Sequence, residues 1–312
     1  MAGEQGSGAG ASGSASLQPS GDASDDESPD GQPGTGGAAA GSATLCAEAR
    51  IAQLEAAAAE EGSGSEGGGG IGGSSGKGGG GGRSEFHLRL FALLLRYKSI
   101  QGAGFQAAAG PPVFRLLRDR LAVGCECFAS PLNASFARFG SAFPDVDGPF
   151  GSAGSFFSFQ LKHGSYEVNP PFVPALLTAA AERVGALLQA AEAAGGALSF
   201  AFIMPGWQEV AGWQLLQSSP FLRECLLVAA ADHGFCDGSS HQARDPYRQS
   251  PFDSGLFILQ TSAAAKKWGV TPPLVAQLRT AMAACVPSAA AAERQRKQRG
   301  QNDLEWQGLI KN

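Results

Sequence analysis

The sequence predicts an α/β fold with an open, mostly parallel sheet and helices on both faces. Two continuous apolar runs, at residues 198–204 and 255–261, are typical of strands that are buried on both faces. Helical patterns precede and follow these runs, and strands that alternate with helices favour a parallel sheet. We therefore expect ligands to bind at the carboxyl ends of the strands.

Three segments of different composition divide the 312-residue chain. Residues 1–83 are mostly Gly, Ala and Ser and bury too little apolar surface to offset the entropy of ordering, so we expect a disordered tail with a transient helix at residues 43–61. Residues 84–287 have the length of one ordinary domain. Residues 288–312 are expected to be a polar C-terminal tail, in which the basic stretch 293–299 fits a solvated helix end.

The elements of the domain are predicted from apolar spacing and from Gly- or Pro-rich breaks. In the first half we predict helices at residues 86–97 and 113–121, strands at 123–128, 156–161 and 166–168, and loops at 101–112 and 145–154. In the second half we predict helices at residues 175–194, 212–224 and 272–284, strands at 198–204, 226–229 and 255–261, and a polar loop at 234–252. Gly195-Gly196 ends the first of these later helices.

Charge and composition argue against several classes of protein. The net charge is -5, and the acidic patch at residues 22–30 supplies much of it, so a strongly basic nucleic-acid surface is not indicated. No apolar run has the roughly 18 residues of a membrane span, and the start lacks the hydrophobic core of a signal peptide, so we expect an intracellular protein with no membrane partner. Six scattered cysteines favour core thiols over a metal site.

The most informative motif is Asn169-Pro170-Pro171-Phe172, which lies between a predicted strand and a predicted helix. An amine conjugated to an aromatic ring is a weak nucleophile, so a site that methylates it must orient it. The Asn169 side-chain oxygen and the Pro170 carbonyl can each accept one N–H of such an amine, and Phe172 can stack on the ring. Positioning and electrostatics then suffice without a general base. The same residues also suit an ordinary helix start.

Two further loops hold residues suited to a nucleotide-like ligand. Glu126 lies at the end of a predicted strand and could bind ribose hydroxyls, although an exposed strand residue is the alternative. The loop at residues 145–152 offers carboxylates for ribose or a cation, Phe150 for stacking on adenine, and glycines for close backbone approach. An ordinary Asp/Gly turn is the alternative for this loop.

Two later loops offer substrate contacts. Trp207 could stack on a second base, Glu209 could hydrogen-bond to a sugar or base edge, and His241 could approach the substrate. A packing tryptophan, a solvated glutamate and an incidental histidine are the structural alternatives. Because the strand-end loops of such a sheet share one edge, we expect them to form a single site.

These motifs together resemble the phosphorylated-CTD-interacting factor family of cap-specific adenosine N6-methyltransferases. The resemblance runs in order from about residue 96 to residue 284. It is carried by Glu126-Cys127-Phe128-Ala129-Ser130-Pro131-Leu132-Asn133, Phe143-Pro144-Asp145, Gly151-Ser152, Asn169-Pro170-Pro171-Phe172, Pro205-x-Trp207-x-Glu209 and Gly238-Ser239-x-His241.

The resemblance implies a Rossmann-like methyltransferase fold, S-adenosyl-L-methionine as donor, and an adenosine next to an N7-methylguanosine cap as acceptor. It implies a nuclear protein whose partner is capped RNA, and we expect a monomer. The expected catalytic residues are Asn169, Pro170, Pro171 and Phe172. The expected cofactor-binding residues are Glu126, Phe128, Ser130, Pro131, Asn133, Asp145, Phe150, Gly151, Ser152 and Asn169. The expected substrate-binding residues are Pro205, Trp207, Glu209 and His241.

The sequence departs from the family pattern at several points. No Trp precedes Trp207, so we expect no WW domain of the kind that links family members to RNA polymerase II. Residues 86–121 are the one stretch that could replace the helical region of the family, and Pro174 stands where an acidic residue is typical. Two alternatives therefore stay open. One is a non-catalytic relative that binds cap or RNA; the other is a methyltransferase for another planar amine, such as DNA adenine or a glutamine amide.

Overall fold

The computed structural model describes residues 81–100, 107–237 and 245–297, with side chains from residue 84 onward. The helices are α1 (Gly81–Ser99), α2 (Pro111–Leu121), α3 (Pro144–Asp147), α4 (Pro174–Ala193), α5 (Ala211–Gln217), α6 (Ser262–Lys267) and α7 (Pro272–Ala283). The strands are β1 (Ala107–Ala108), β2 (Val123–Glu126), β3 (Arg138–Phe139), β4 (Gly164–Val168), β5 (Leu198–Pro205), β6 (Leu222–Val228), β7 (Gly234–Asp237), β8 (Tyr247–Gln249) and β9 (Ser254–Gln260). Residues 289–297 form a further helical segment.

The larger sheet has six strands in the order β3-β2-β4-β5-β9-β6. Neighbours from β3 to β5 pair in parallel, whereas β9 runs antiparallel to both β5 and β6. The predicted α/β fold with a mostly parallel sheet is therefore confirmed. The direction of β9 was not evident from its sequence, because a strand buried on both faces has the same apolar pattern in either direction.

Helices cover both faces of this sheet, and alternate residues of β5 show how. Phe200 and Phe202 pack with α4 and α5 on one face, while Ala201 and Ile203 pack with α2 and α7 on the other. This alternation follows from the two-residue period of a strand. All eight residues of β5 are buried, so the continuous apolar run predicted a strand at the centre of the domain correctly.

A second, three-stranded sheet in the order β1-β7-β8 was not predicted. The interpretation of residues 234–252 as a polar loop is wrong, because β7 and β8 form an antiparallel pair there. Phe235 and Cys236 of β7 are buried, and β1 pairs antiparallel with the same strand. This small sheet brings residues 107–108 next to the end of β7, which matters for the site below.

The predicted loops at residues 101–112 and 145–154 are also partly wrong, because the first contains β1 and the start of α2, and the second contains most of α3 and a 3-10 turn. Two further element predictions are wrong for local reasons. Residues 156–161 were predicted as a strand, but Phe156–Ser158 is a single 3-10 turn whose rings pack against one another. The helix predicted at residues 212–224 ends at Gln217, and β6 begins at Leu222. Pro220 explains the break, because the residue before a proline avoids the helical conformation.

The predicted division into two tails and one domain stays a prediction, since residues 1–80 and 298–312 lie outside the described residues. The basic stretch expected to be a helix end is helical as far as residue 297, and Arg294 pairs there with Asp245 at 2.8 Å. Within the described ranges, no helix combines the length and the apolar character needed to cross a bilayer.

Candidate active site

The candidate site lies at the edge of the sheet where the strand order reverses. The chain leaves β2 for β3 on one side, and β4 then pairs with β2 on the other side. Open α/β sheets bind ligands in the crevice outside the carboxyl ends of the strands at this switch point. Because β2, β4 and β5 run in parallel, their carboxyl ends at Glu126, Val168 and Pro205 lie along one edge. The predicted motifs that follow these strands therefore share that edge.

Asn169, directly after β4, is held in one orientation by a distant part of the chain. Its Nδ2 donates a hydrogen bond of 2.7 Å to the carbonyl oxygen of Ala107. A carbonyl oxygen can only accept, so the nitrogen of the carboxamide must face Ala107 and Oδ1 must face away. Asn169 Oδ1 is buried and has no hydrogen-bond partner among the described residues. An unsatisfied buried acceptor costs about 1–3 kcal/mol, a cost that an N–H donor from outside the described residues would relieve.

The rest of the tetrad argues against the helix-cap alternative. α4 begins at Pro174, and its N-cap residue is Val173, which makes no side-chain cap hydrogen bond. Asn169 therefore does not cap the helix. Phe172 is half-buried and packs edge-on against Phe235, with ring centroids 6.0 Å apart. Among the described backbone groups, none donates a hydrogen bond to the Pro170 carbonyl.

Glu126, at the end of β2, is buried rather than exposed, so the exposed-strand alternative is wrong. Its Oε1 accepts hydrogen bonds from the backbone N–H groups of Ser135 at 2.6 Å and Phe136 at 2.9 Å. Hydrogen bonds to the charged form of a carboxyl stabilise it as an anion. These two hydrogen bonds favour the anionic form of Glu126, at the end of β2 beside the switch point.

The loop after β2 uses its polar side chains to hold its own shape. Asn133 Oδ1 accepts hydrogen bonds from the Ser130 backbone nitrogen at 2.8 Å and from Ser130 Oγ at 3.0 Å. Phe128 packs against Phe156, with centroids 5.3 Å apart, and Pro131 is half-buried in the same loop. These contacts fix the shape of the loop that follows β2 at the carboxyl edge of the sheet. The predicted role of Phe128, Ser130, Pro131 and Asn133 in binding the cofactor stays a prediction.

The loop at residues 145–152 packs mainly against α1. Asp145 pairs with Arg96 at 2.9 Å on the surface. Phe150 is only 4% exposed and lies edge-on to Phe86 at 6.1 Å, so its ring is packed rather than open for stacking on adenine. Ser152 Oγ is 2.6 Å from the hydroxyl of Ser141.

The geometry of this loop favours a structural role over direct cofactor contact. Gly151 has φ +95, a conformation that favours glycine, so the turn itself accounts for that residue. Asp147 is fully buried, and its Oδ2 accepts a hydrogen bond from the Tyr97 hydroxyl at 2.9 Å. Asp147 Oδ1 has no partner in the described part of the chain. The predicted cofactor contacts from Asp145, Phe150, Gly151 and Ser152 stay predictions.

The candidate substrate residues after β5 are spread between the core and the surface. Pro205 is buried at the end of the strand, and Trp207 is half-buried and edge-on to Phe252 at 5.2 Å. Glu209 is exposed. His241 lies outside the described residues. The Trp207 side chain therefore borders the same sheet edge as Asn169, and its base-stacking role stays a prediction.

Sequence reasoning missed three residues that shape this site. Ala107 and Phe235 support Asn169 and Phe172, but neither has a local signal, because each acts through a pairing distant in sequence. Glu167 is 1% exposed beside Glu126. Its signal was visible, since a glutamate within a buried strand is unusual. Of the five cysteines in the described residues, four are buried, as expected of core thiols, and Cys225 is half-buried.

Fold and site together define an α/β protein that presents an unpaired amide acceptor at the switch point of its sheet. The chain belongs to the phosphorylated CTD interacting factor 1 family. The sequence profile described as the phosphorylated CTD interacting factor 1 WW domain matches residues 80–238, which include α1 through β7.

Two similar proteins, from Mus musculus and Homo sapiens, are both named mRNA (2'-O-methyladenosine-N(6)-)-methyltransferase. Each is 34% identical to this chain over 203 residues. The aligned part covers 62% of this chain and 28% of each relative, so the chain spans little more than a quarter of the length of these relatives.

Proposed function

We propose that this chain is an S-adenosylmethionine-dependent methyltransferase that acts on N6 of the adenosine next to the cap of mRNA. The relatives' shared name supports the reaction and its substrate. The observation that carries the proposal is the buried, unpartnered Oδ1 of Asn169, with Nδ2 of the same side chain anchored on Ala107. A primary amine on an aromatic ring supplies the N–H donor that this oxygen lacks.

The tetrad can orient and activate such an amine. Asn169 Oδ1 accepts one N–H of the adenine amine, and the Pro170 carbonyl oxygen accepts the other. Phe172, braced by Phe235, supports the face of the base. As the new N–C bond forms, positive charge develops on N6, and the two oxygens stabilise that charge. The excess N6 proton passes to solvent, because neither oxygen is basic enough to retain it.

The residues at the switch point fit a nucleoside-bearing methyl donor. S-adenosylmethionine, when bound, supplies an electrophilic methyl group on a sulfonium. Glu126 offers a fixed carboxylate to ribose hydroxyls, and the self-closed Ser130–Asn133 turn borders the crevice. Asn169 follows β4, the strand next to β2, and we place it between the methyl donor and the acceptor adenosine.

Product analysis tests the proposal directly. The chain would be incubated with S-adenosylmethionine and a short capped RNA that begins with 2'-O-methyladenosine, and the RNA would then be digested to nucleosides for mass spectrometry. We expect N6,2'-O-dimethyladenosine as the new product. Methylation at N1 of adenine, or at the cap guanine, would contradict the proposed geometry.

A non-catalytic relative that binds RNA is the second candidate. One observation favours it: Pro174 occupies the start of α4, where the family resemblance implies an acidic side chain. Calorimetry with S-adenosylmethionine separates the two candidates, since a non-catalytic relative that has lost the donor site would show no heat of binding. Nuclear location and polymerase association are proposed from the family alone, and fractionation of cells that express the full chain would test the former.

A further inference from the structure

Two carboxyl side chains lie side by side inside the sheet, beside the switch point. Glu126 of β2 and Glu167 of β4 are register partners in a parallel pair, and they are 4% and 1% exposed. Both side chains face the α2 side of the sheet. Phe136, whose N–H binds Glu126, packs in the core on that side, and Val168, adjacent to Glu167, packs on the opposite side. Register partners on one face lie roughly 5 Å apart.

Two carboxylates this close in a buried site cannot both carry charge. Glu126 is stabilised as the anion by two backbone N–H groups. Burial raises the pKa of Glu167 well above its ordinary value, and the charge of Glu126 raises that pKa further. Oε1 of Glu167 has no hydrogen-bond partner among the described groups, which costs less for a neutral acid than for an anion. The shared proton therefore belongs on Glu167.

Among the described residues, the other titratable groups near this pair do not supply a compensating charge at Glu167. They include the thiols of Cys125 and Cys127, the Tyr166 hydroxyl, whose pKa is raised by burial, and Arg138 on β3. Burial raises the pKa of both thiols, so the thiols stay neutral at physiological pH. Arg138 acts on Cys125, one strand further from β4, and its side chain is exposed.

We propose that Glu167 is a positioning residue that carries a proton and donates it in a hydrogen bond to Glu126. This bond holds the Glu126 carboxylate at the end of β2, where it accepts the ribose hydroxyls of the methyl donor. Glu167 lies on β4, two residues before Asn169, so one strand carries both the residue that holds Glu126 and the residue that accepts the amine. The role toward the methyl donor rests on the proposed function, whereas the proton on Glu167 does not.

The pH dependence of stability tests the proton directly and needs no cofactor. Glu167 is neutral in the folded chain and titrates near pH 4.3 when unfolded, so its stabilising effect is fully present below about pH 4.3 and is lost as pH rises toward the folded pKa. In the Glu167→Gln variant the side chain at this position does not ionise, so it contributes no pH dependence. In urea unfolding of the full chain, the unfolding constant of the wild type relative to this variant should rise with pH, by up to about tenfold per pH unit.

Glu182→Gln is the matched control, because Glu182 is exposed on α4. Its stability relative to the wild type should show no such slope. If the Glu167→Gln difference is as flat as the Glu182→Gln difference between about pH 5 and pH 8, Glu167 holds no proton and the inference is overturned.

Calorimetry with S-adenosylmethionine tests the positioning role. Glu126→Gln should weaken binding by about tenfold or more, because the acceptor carboxylate is lost. Glu167→Gln keeps an N–H donor and should stay within about twofold of the wild type, whereas Glu167→Ala should weaken binding by about tenfold. Equal losses in Glu167→Gln and Glu126→Gln would overturn the positioning role. If the wild type does not bind S-adenosylmethionine, the proposed cofactor is refuted. The unfolding experiment would then still test whether Glu167 carries a proton.

Discussion

The loop that follows β4 and the loop at residues 145–152 each contain a buried unpaired oxygen, but contacts within the chain hold far more of the second loop. Both were predicted to bind ligand. Asn169 keeps a buried acceptor without a partner, while Asp145 and Ser152 are paired within the chain and Phe150 is packed under α1. In the second loop, Asp147 Oδ1 is the one buried side-chain oxygen that lacks a partner among the described groups, and the Tyr97 hydroxyl donates to the other oxygen of that carboxyl. Most of this loop is therefore accounted for by folding alone. An acceptor left unpaired in a buried place costs stability, and a bound ligand would supply the missing donor.

The largest effect is expected from Asn169→Ala, which removes the unpaired acceptor. We expect kcat to fall by about 10²–10³-fold, as for the loss of one oriented group at a developing charge. Stability should change little, because the lost hydrogen bond to Ala107 is offset by removal of the unsatisfied oxygen. Steady-state methyl transfer and thermal unfolding of the same sample measure both. Unchanged turnover would remove Asn169 from the catalytic assignment.

A smaller effect is expected from Phe172→Ala, which removes the stacking surface. The loss should be about 1–3 kcal/mol in kcat/KM for the RNA, with S-adenosylmethionine affinity unchanged. Phe172→Tyr keeps the ring and serves as the matched control. If the alanine variant alters donor affinity as much as RNA affinity, Phe172 is a packing residue rather than a base support.

In the contrasting loop, Tyr97→Phe tests a structural contact. Burial raises the pKa of the Tyr97 hydroxyl, and its hydrogen bond to Asp147 raises that pKa further, so this hydroxyl remains a donor at any physiological pH. Its removal leaves a buried carboxylate less satisfied and should lower the free energy of unfolding by about 1.5–3 kcal/mol. Urea unfolding measures this. S-adenosylmethionine affinity should be unchanged if the loop is scaffold, and a loss of affinity without a loss of stability would reverse the comparison.

The smallest effect is expected from Asp145→Asn, which breaks an exposed ion pair with Arg96. Stability should fall by less than about 1 kcal/mol. Asp119→Asn is the control, because Asp119 pairs with Arg118 at similar exposure. Donor affinity should match the wild type in both variants, by calorimetry. A tenfold loss in Asp145→Asn alone would mean that this loop binds the cofactor after all.

The sequence predicted the main sheet well because its central strands are buried. A short, continuous apolar run such as β5 is typical of a strand covered on both faces, and the helix α4 was evident from its apolar face and its terminal glycines. The tetrad after β4 could also be located, since proline and asparagine there end a strand and precede a helix. These are all properties of consecutive residues.

The parts that could not be predicted depend on contacts between distant residues. The β7–β8 pair lies in a segment rich in polar residues and turn formers, so its composition indicated a loop. The anchor from Ala107 to Asn169 spans 62 residues and uses a backbone oxygen, which has no side-chain signature. Which polar groups of the two loops are paired within the chain is likewise decided by tertiary packing, through α1 in one case and β1 in the other.

The central claim is that Asn169 accepts a hydrogen bond from the amine of a cap-adjacent adenosine during methyl transfer. The most direct test is transfer of label from S-adenosylmethionine to two short RNAs that differ only in the presence of a methylated cap, with the wild type and Asn169→Ala assayed side by side. We predict label on the capped RNA with the wild type and none with the variant. Equal labelling by the two proteins, or no label from the wild type on either RNA, would contradict the claim.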